Sequence, residues 1–262
     1  MKVMIGGREL SWTDTEGEGL PLVLLHGYPL DSTSWSGQSL DLADVARVIA
    51  PDLAGFGGTA LPDGPVTIDG YALDVLHLLD HLKVGQAVVC GVSMGGYVAL
   101  ALQRQFPVRV RGLVLVDTRA GADSADAKAG RDEAIELART GGAAAIADKM
   151  LPRLLSPSAP AAQVSALRGV IVRQRVEGLV AAVAAMRDRP DATGGLAAID
   201  VPTLIAHGLE DTLIPFSEAE ILLAGIKGAD LAKIAGAAHL PNLERPDAFN
   251  AALREFLKRF ES

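Results

Sequence analysis

Three residues far apart in the chain are of the types that together make an alcohol nucleophilic. Ser93 stands in Gly91-Val92-Ser93-Met94-Gly95, between an apolar run, Ala87-Val88-Val89-Cys90, and an apolar stretch from Tyr97 to Phe106. G-x-S-x-G is the pattern of a sharp strand-to-helix turn that holds a serine hydroxyl at its tip. So tight a backbone crowds any neighbouring Cβ, and Gly91, Gly95 and Gly96 have none. The first turn of the helix adds free N–H groups and a positive dipole end where negative charge would develop. A serine hydroxyl needs a base beside it at neutral pH, and the base needs an orienting acid. Among His26, His77, His81, His207 and His239, only His239 follows the last strand-like run and stands in a loop, Ala237-Ala238-His239-Leu240-Pro241. Asp211 follows the apolar run Thr203 to Ala206. Asp117, after Val114-Leu115-Val116, is a rival for the acid, and Glu210 a weaker one. His26 reads as a loop support, His207 as a strand end, His77 and His81 as helix-face residues, and Cys90 as a buried, inert thiol.

The elements that must position these residues alternate. Val3 to Ile5 and Glu9 to Thr13 predict an opening hairpin around Gly6-Gly7. Leu22 to Leu25, Val45 to Ala50, the run before Ser93 and Leu113 to Val116 read as strands buried on both faces. Helical spacing falls between them, over Ile68 to Leu82 and after Ser93. Strands alternating with helices predict a mostly parallel sheet covered on both faces. From about Gly121 to Leu196 the rhythm breaks into an alanine-rich block without a convincing strand, read as three or four helices divided by Pro152, Pro157 and Pro160. Strands return at Thr203 to Ala206 and Leu231 to Ala235, and an amphipathic helix runs from about Pro246 to Phe260. The expected division is a core of 1–119 and 198–262 with a helical cap of 120–197 over the strand ends, where ligands of open α/β sheets gather. Within the block, Arg153, Arg168, Arg173, Arg175, Arg187 and Arg189 read as a solvated face from which one or two could reach a carboxylated substrate. Met150, Leu154, Leu155 and Met186 read as packing of that block rather than as pocket lining.

Composition narrows the class. The 262 residues are 49% hydrophobic, enough for a large core and too apolar for disorder. A net charge of -8 opposes a nucleic-acid surface. One cysteine excludes an internal disulfide, and without a cysteine cluster no metal or organic cofactor is expected. The first ten residues lack the apolar core of a secretory signal, and the most hydrophobic stretch, Gly178 to Met186, is far short of a membrane span. The expectation is a cytoplasmic protein acting on a small molecule, with neither nucleic acid nor membrane as partner.

The sequence resembles the α/β-hydrolase superfamily, and within it the small capped esterases, enol-lactonases and cofactor-free haloperoxidase or perhydrolase enzymes. The resemblance rests on His26-Gly27-Tyr28-Pro29, Asp52-Leu53-Ala54-Gly55-Phe56-Gly57, Gly91-Val92-Ser93-Met94-Gly95-Gly96, Asp211, Ala238-His239-Leu240 and Glu244-Arg245-Pro246. The order Ser93, Asp211, His239 is that of the fold's catalytic triad. The resemblance implies Ser93 as nucleophile, His239 as base and then acid, Asp211 as orienting carboxylate, and backbone N–H groups of Tyr28 and Met94 as oxyanion hole. It implies hydrolysis of a small carboxylic ester, with lactone hydrolysis (3-oxoadipate enol-lactone-like) or perhydrolysis as alternatives. A ligand receptor built on the same fold is a further one. Ala54 and Gly58-Thr59 depart from the usual pattern, away from the triad.

Overall fold

The computed structural model describes residues 1–260. Eight strands form one sheet in the order β1-β2-β4-β3-β5-β6-β7-β8. They are β1 (Lys2–Ile5), β2 (Arg8–Asp14), β3 (Leu20–Leu25), β4 (Ala46–Pro51), β5 (Ala87–Val92), β6 (Val110–Val116), β7 (Thr203–Gly208) and β8 (Asp230–Ile234). The expected hairpin forms: β1 pairs antiparallel with β2, and β2 antiparallel with β4. Every pairing from β4 to β8 is parallel. Every residue of β5 and of β7 is buried, as unbroken apolar runs require of central parallel strands.

Helices connect the parallel strands. A short α1 (Ser36–Asp41) follows β3, and α2 (Ile68–His81) follows β4, capped by the Thr67 hydroxyl, which accepts from Gly70 N. After β5 comes α3 (Met94–Gln105), three residues earlier than its apolar run suggests, because the turn at Ser93 is itself the helix start. After β8, α8 (Pro241–Glu244) and α9 (Pro246–Leu257) close the chain, α9 packing on α1, β7 and β8.

Between β6 and β7 lie three helices, α4 (Ala125–Leu154), α5 (Ala161–Val172) and α6 (Val176–Arg187), then a 3-10 turn at Thr193–Ala198. Alpha4 is two helical limbs joined at Gly142, whose φ of 67° a side-chain-bearing residue would rarely adopt. It packs on both α5 and α6. Two helices lay outside the sequence reading: the short α8, and α7 (Phe216–Gly225), between β7 and β8. Its Ile221 and Leu223 face solvent while Ala219 and Leu222 are buried, so the apolar residues do not mark a single stripe.

Candidate active site

The register of the central strands sets the site. Val92 pairs with Val116, and Val116 with Ala206, so the C-terminal ends of β5, β6 and β7 stand in one row. Ser93, Asp117 and His207 are the next residues of these strands. Ser93 has φ 53° and ψ -113°, a strained conformation for a residue with a side chain. Three contacts hold it: Ser93 N donates to Val116 O at 2.9 Å, Gly96 N donates to Ser93 O at 2.9 Å, and the Thr118 hydroxyl donates to Ser93 O at 2.8 Å. A Cβ at Gly91 would stand 2.1 Å from the Gly95 carbonyl oxygen, and one at Gly95 2.2 Å from that of Leu25. Neither partner is a side chain that can swing away, so both glycines are steric requirements of the turn.

The strand β3 delivers the neighbouring loop. A Cβ at Gly27 would lie 3.3 Å from that of Ser93, so Gly27-Tyr28 passes directly beside the serine. Among the described residues, neither the Tyr28 nor the Met94 N–H donates to a carbonyl or side-chain acceptor. His26 holds the loop as expected. Its Nε2 accepts from Leu53 N at 3.0 Å, so its Nδ1 carries the proton and donates to Gly27 O at 3.0 Å. Burial disfavours the charged ring and lowers its pKa.

Asp211 and His239 meet. His239 Nδ1 is 2.7 Å from Asp211 Oδ2, and both side chains are fully buried. A carboxylate only accepts, so Nδ1 is the donor and the lone pair of the ring is on Nε2. That Nε2 is buried and has no hydrogen-bond partner. Asp211 Oδ1 accepts from Leu213 N at 2.7 Å and Ile214 N at 3.1 Å. These bonds and His239 hold its carboxyl below the usual range against the opposing effect of burial. The Ser93 hydroxyl bonds no described residue, so the structure joins Asp211 to His239 but leaves the Ser93–His239 hydrogen bond unmade. Such bonds are often long in unliganded enzymes and tighten around substrate.

The rival carboxyl is accounted for differently. Asp117 Oδ1 accepts from Gly208 N at 2.9 Å and lies 3.7 Å from His207 Nε2, and His239 is not its partner. Asp117 Oδ2 is buried without a partner. Burial, and after it the Asp211 charge, raise its pKa well above the ordinary value, which favours the neutral acid at Asp117 over the carboxylate. Asp117, His207 and Asp211 place ligand-type atoms within 4.8 Å of one another. The His207 nitrogen nearest them donates to Ile214 O at 3.1 Å, however, and offers no lone pair there. The Glu210 side chain has no bond to the site among the described residues. Cys90 is buried, and its thiol is pushed up by desolvation, as an inert core thiol should be.

A cavity of about 400 Å³ opens over the serine, between the strand ends and α4 and α6. Tyr28, Ser93, Leu213 and Ile214 line it from the sheet side. Met150 and Met186 line it from the helices, which corrects the expectation that they serve only as packing. The size suits a small organic molecule.

The helices are fastened over this cavity by contacts of long sequence separation. Arg173 grips both Asp31 oxygens at 2.8–3.0 Å, and Gln174 donates to Asp31 Oδ2 at 2.8 Å. Glu244, matched earlier only as a motif, proves to be a buried tie: Oε1 accepts from Ser156 N at 2.7 Å and Oε2 from Ala238 N at 2.8 Å. It joins the end of α4 to the residue before His239. No local pattern could reveal this pairing, since its partners are 88 residues apart.

The chain is similar to several known proteins. The chain is 30% identical over 243 residues to 3-oxoadipate enol-lactonase 2 of Acinetobacter baylyi, covering 91% of this chain and 89% of that protein. It is 32% identical to a non-heme chloroperoxidase of Streptomyces lividans, covering 92% of each. The structure of a thermophilic esterase from Thermogutta terrifontis with malate bound superposes with a TM-score of 0.95 at 39% identity, over the whole of both chains. The model of the alpha/beta hydrolase family matches residues 22–252, and the chain belongs to that family.

Proposed function

We propose that the chain hydrolyses small carboxylic esters through an acyl-enzyme on Ser93. The observation that carries the reading is the His239–Asp211 contact at 2.7 Å, which leaves a buried Nε2 lone pair facing no other acceptor or donor. In the first half-reaction Ser93 Oγ bonds to the ester carbonyl carbon and its proton passes to His239 Nε2. The carbonyl oxygen becomes an oxyanion against the Tyr28 and Met94 N–H groups. Collapse breaks the bond to the alcohol, which takes the proton from Nε2 as it leaves. Water then repeats the sequence on the acyl-enzyme and frees the acid and Ser93. Asp211 stays ionised throughout, holding the imidazole in one tautomer and offsetting its transient charge.

The fold supports the division of labour. Residues 1–119 and 198–260 supply the core with every residue named in these steps, and 120–197 act as the cap that roofs the cavity. A lactone is an ester whose acyl and alcohol halves stay joined, so the same steps open it to a single hydroxy acid. The enol-lactonase relative favours that second reading. No helix among the described residues is long and apolar enough to cross a membrane. The test is steady turnover of p-nitrophenyl acetate, abolished in Ser93→Ala while the thermal melt is kept. Single-event cleavage would favour a receptor, and full activity of the variant would overturn the assignment.

A further inference from the structure

The lining of the cavity is electrically uneven. It contains four cations, Arg119, Arg131, Lys149 and Arg153, against two carboxylates, Asp123 and Glu133. Asp123 is already saturated: Arg189 Nη1 meets it at 2.7 Å and Arg131 Nε at 3.0 Å. Arg119 lies 3.6 Å from Glu218. Lys149 and Arg153 have no carboxylate or hydrogen-bond partner among the described residues.

Most other arginines of the helical segment find a partner; the exposed Arg139 has none either among the described residues, but it does not line the cavity. Arg168 pairs with Asp148, Arg173 with Asp31, Arg187 with Asp132 and Arg189 with Asp123. Arg175 donates to the Thr59 carbonyl. Of the six arginines singled out in the sequence, Arg153 alone is left over, and it is the one that lines the cavity. Lys149 precedes it by one helical turn on the second limb of α4, so the two like charges share a face. That spacing is unfavourable in an isolated helix. It also runs against a chain with 32 acidic and 24 basic residues, in which a compensating carboxylate is easily placed.

We propose that Lys149 and Arg153 form an anion subsite at the cavity wall, and that the substrate is an ester or lactone bearing a second, free carboxylate. The inference rests on Ser93 as the reacting group for the ester half of such a substrate. The subsite itself needs only the two cations. A carboxylate there is held by charge-assisted hydrogen bonds from one or both side chains. An uncharged analogue of the same length gains none of this.

The experiment compares matched esters. Mono-4-nitrophenyl adipate against 4-nitrophenyl hexanoate places the charge on the acyl side. 4-Acetoxybenzoate against its methyl ester places it on the alcohol side. The readout is the ratio of kcat/KM, charged over neutral, in the native protein and in a Lys149→Gln/Arg153→Gln variant. Intrinsic reactivity cancels in that comparison. The ratio should fall about 10-fold in at least one pair, the factor that loss of about 1.4 kcal/mol produces. It should recover in Lys149→Arg/Arg153→Lys and shrink with added salt. Unchanged ratios in both pairs overturn the proposal. A second arm needs no turnover: adipate binding to the Ser93→Ala protein, by calorimetry, should weaken about 10-fold when both cations are replaced. Charge-dependent adipate binding without ester turnover would keep the subsite and sink the serine mechanism. Turnover with cation-independent ratios and cation-independent adipate binding would do the reverse.

Discussion

Replacing Asp117 by asparagine should stabilise the protein, and increasingly so as the pH rises. Asp117 is fully buried beside Asp211, and desolvation and that neighbour's charge raise its pKa, favouring the neutral acid. In the unfolded chain the same group ionises near about pH 4. Between that pH and the raised pKa of the fold, folding must therefore take up a proton. The stability contributed at low pH is lost as the pH rises through this window, at about 1.4 kcal/mol per pH unit. Asparagine mimics the neutral acid without that dependence. Its carbonyl can still accept from Gly208 N, now 2.9 Å from Asp117 Oδ1, and its amide can donate towards Asp211. For a domain of this size 1 kcal/mol moves Tm by roughly 2–4 °C. The gap between variant and native melts should thus widen by roughly 3–5 °C per pH unit until Asp117 itself ionises in the fold, then level off. Melts followed by circular dichroism from pH 4.5 to 7 measure it. Ester turnover at pH 7 should stay within a few-fold of native, because His239 leans on the other carboxylate. A gap that does not widen with pH, or a variant without activity, would refute both the protonation and the division of roles.

Asp211→Asn should instead keep the fold and lower kcat by on the order of 10⁴, the size of effect seen when a triad acid loses its charge and the imidazole its tautomer; a loss under 10-fold would return Asp117 to contention. Glu244→Gln replaces one of two buried acceptor oxygens by an amide facing an N–H donor. It should cost about 1–3 kcal/mol, seen as a lower Tm, and should depress kcat as well because Ala238 precedes His239.

Much of the fold was legible because central parallel strands are buried on both faces. Leu22 to Leu25, Ala87 to Cys90 and Leu113 to Val116 had to be apolar throughout, and their shortness separates them from apolar helical runs such as Leu179 to Met186. The turn at Ser93 was legible for a steric reason, since no residue but glycine fits at 91 or 95. Alpha7 escaped notice because Ile221 and Leu223 point outward, so its apolar residues trace no stripe. The choice between Asp117 and Asp211 was open in the sequence, as both follow sheet strands; it was closed by which carboxylate the ring of His239 touches. The ties across the cavity were out of reach for another reason. Asp31 with Arg173, and Glu244 with Ser156, are pairings made only by the folded path of the chain. For the same reason the six arginines looked alike in sequence and separate only by the partners they find.

The central claim is that the Ser93 hydroxyl is made nucleophilic by His239. It is tested most directly by treating the native protein and its His239→Ala variant with a fluorophosphonate and mapping the adduct by mass spectrometry. A single adduct on Ser93, formed by the native protein and suppressed in the variant, is the predicted result. Label on another residue, or equal labelling of Ser93 without the imidazole, would contradict it.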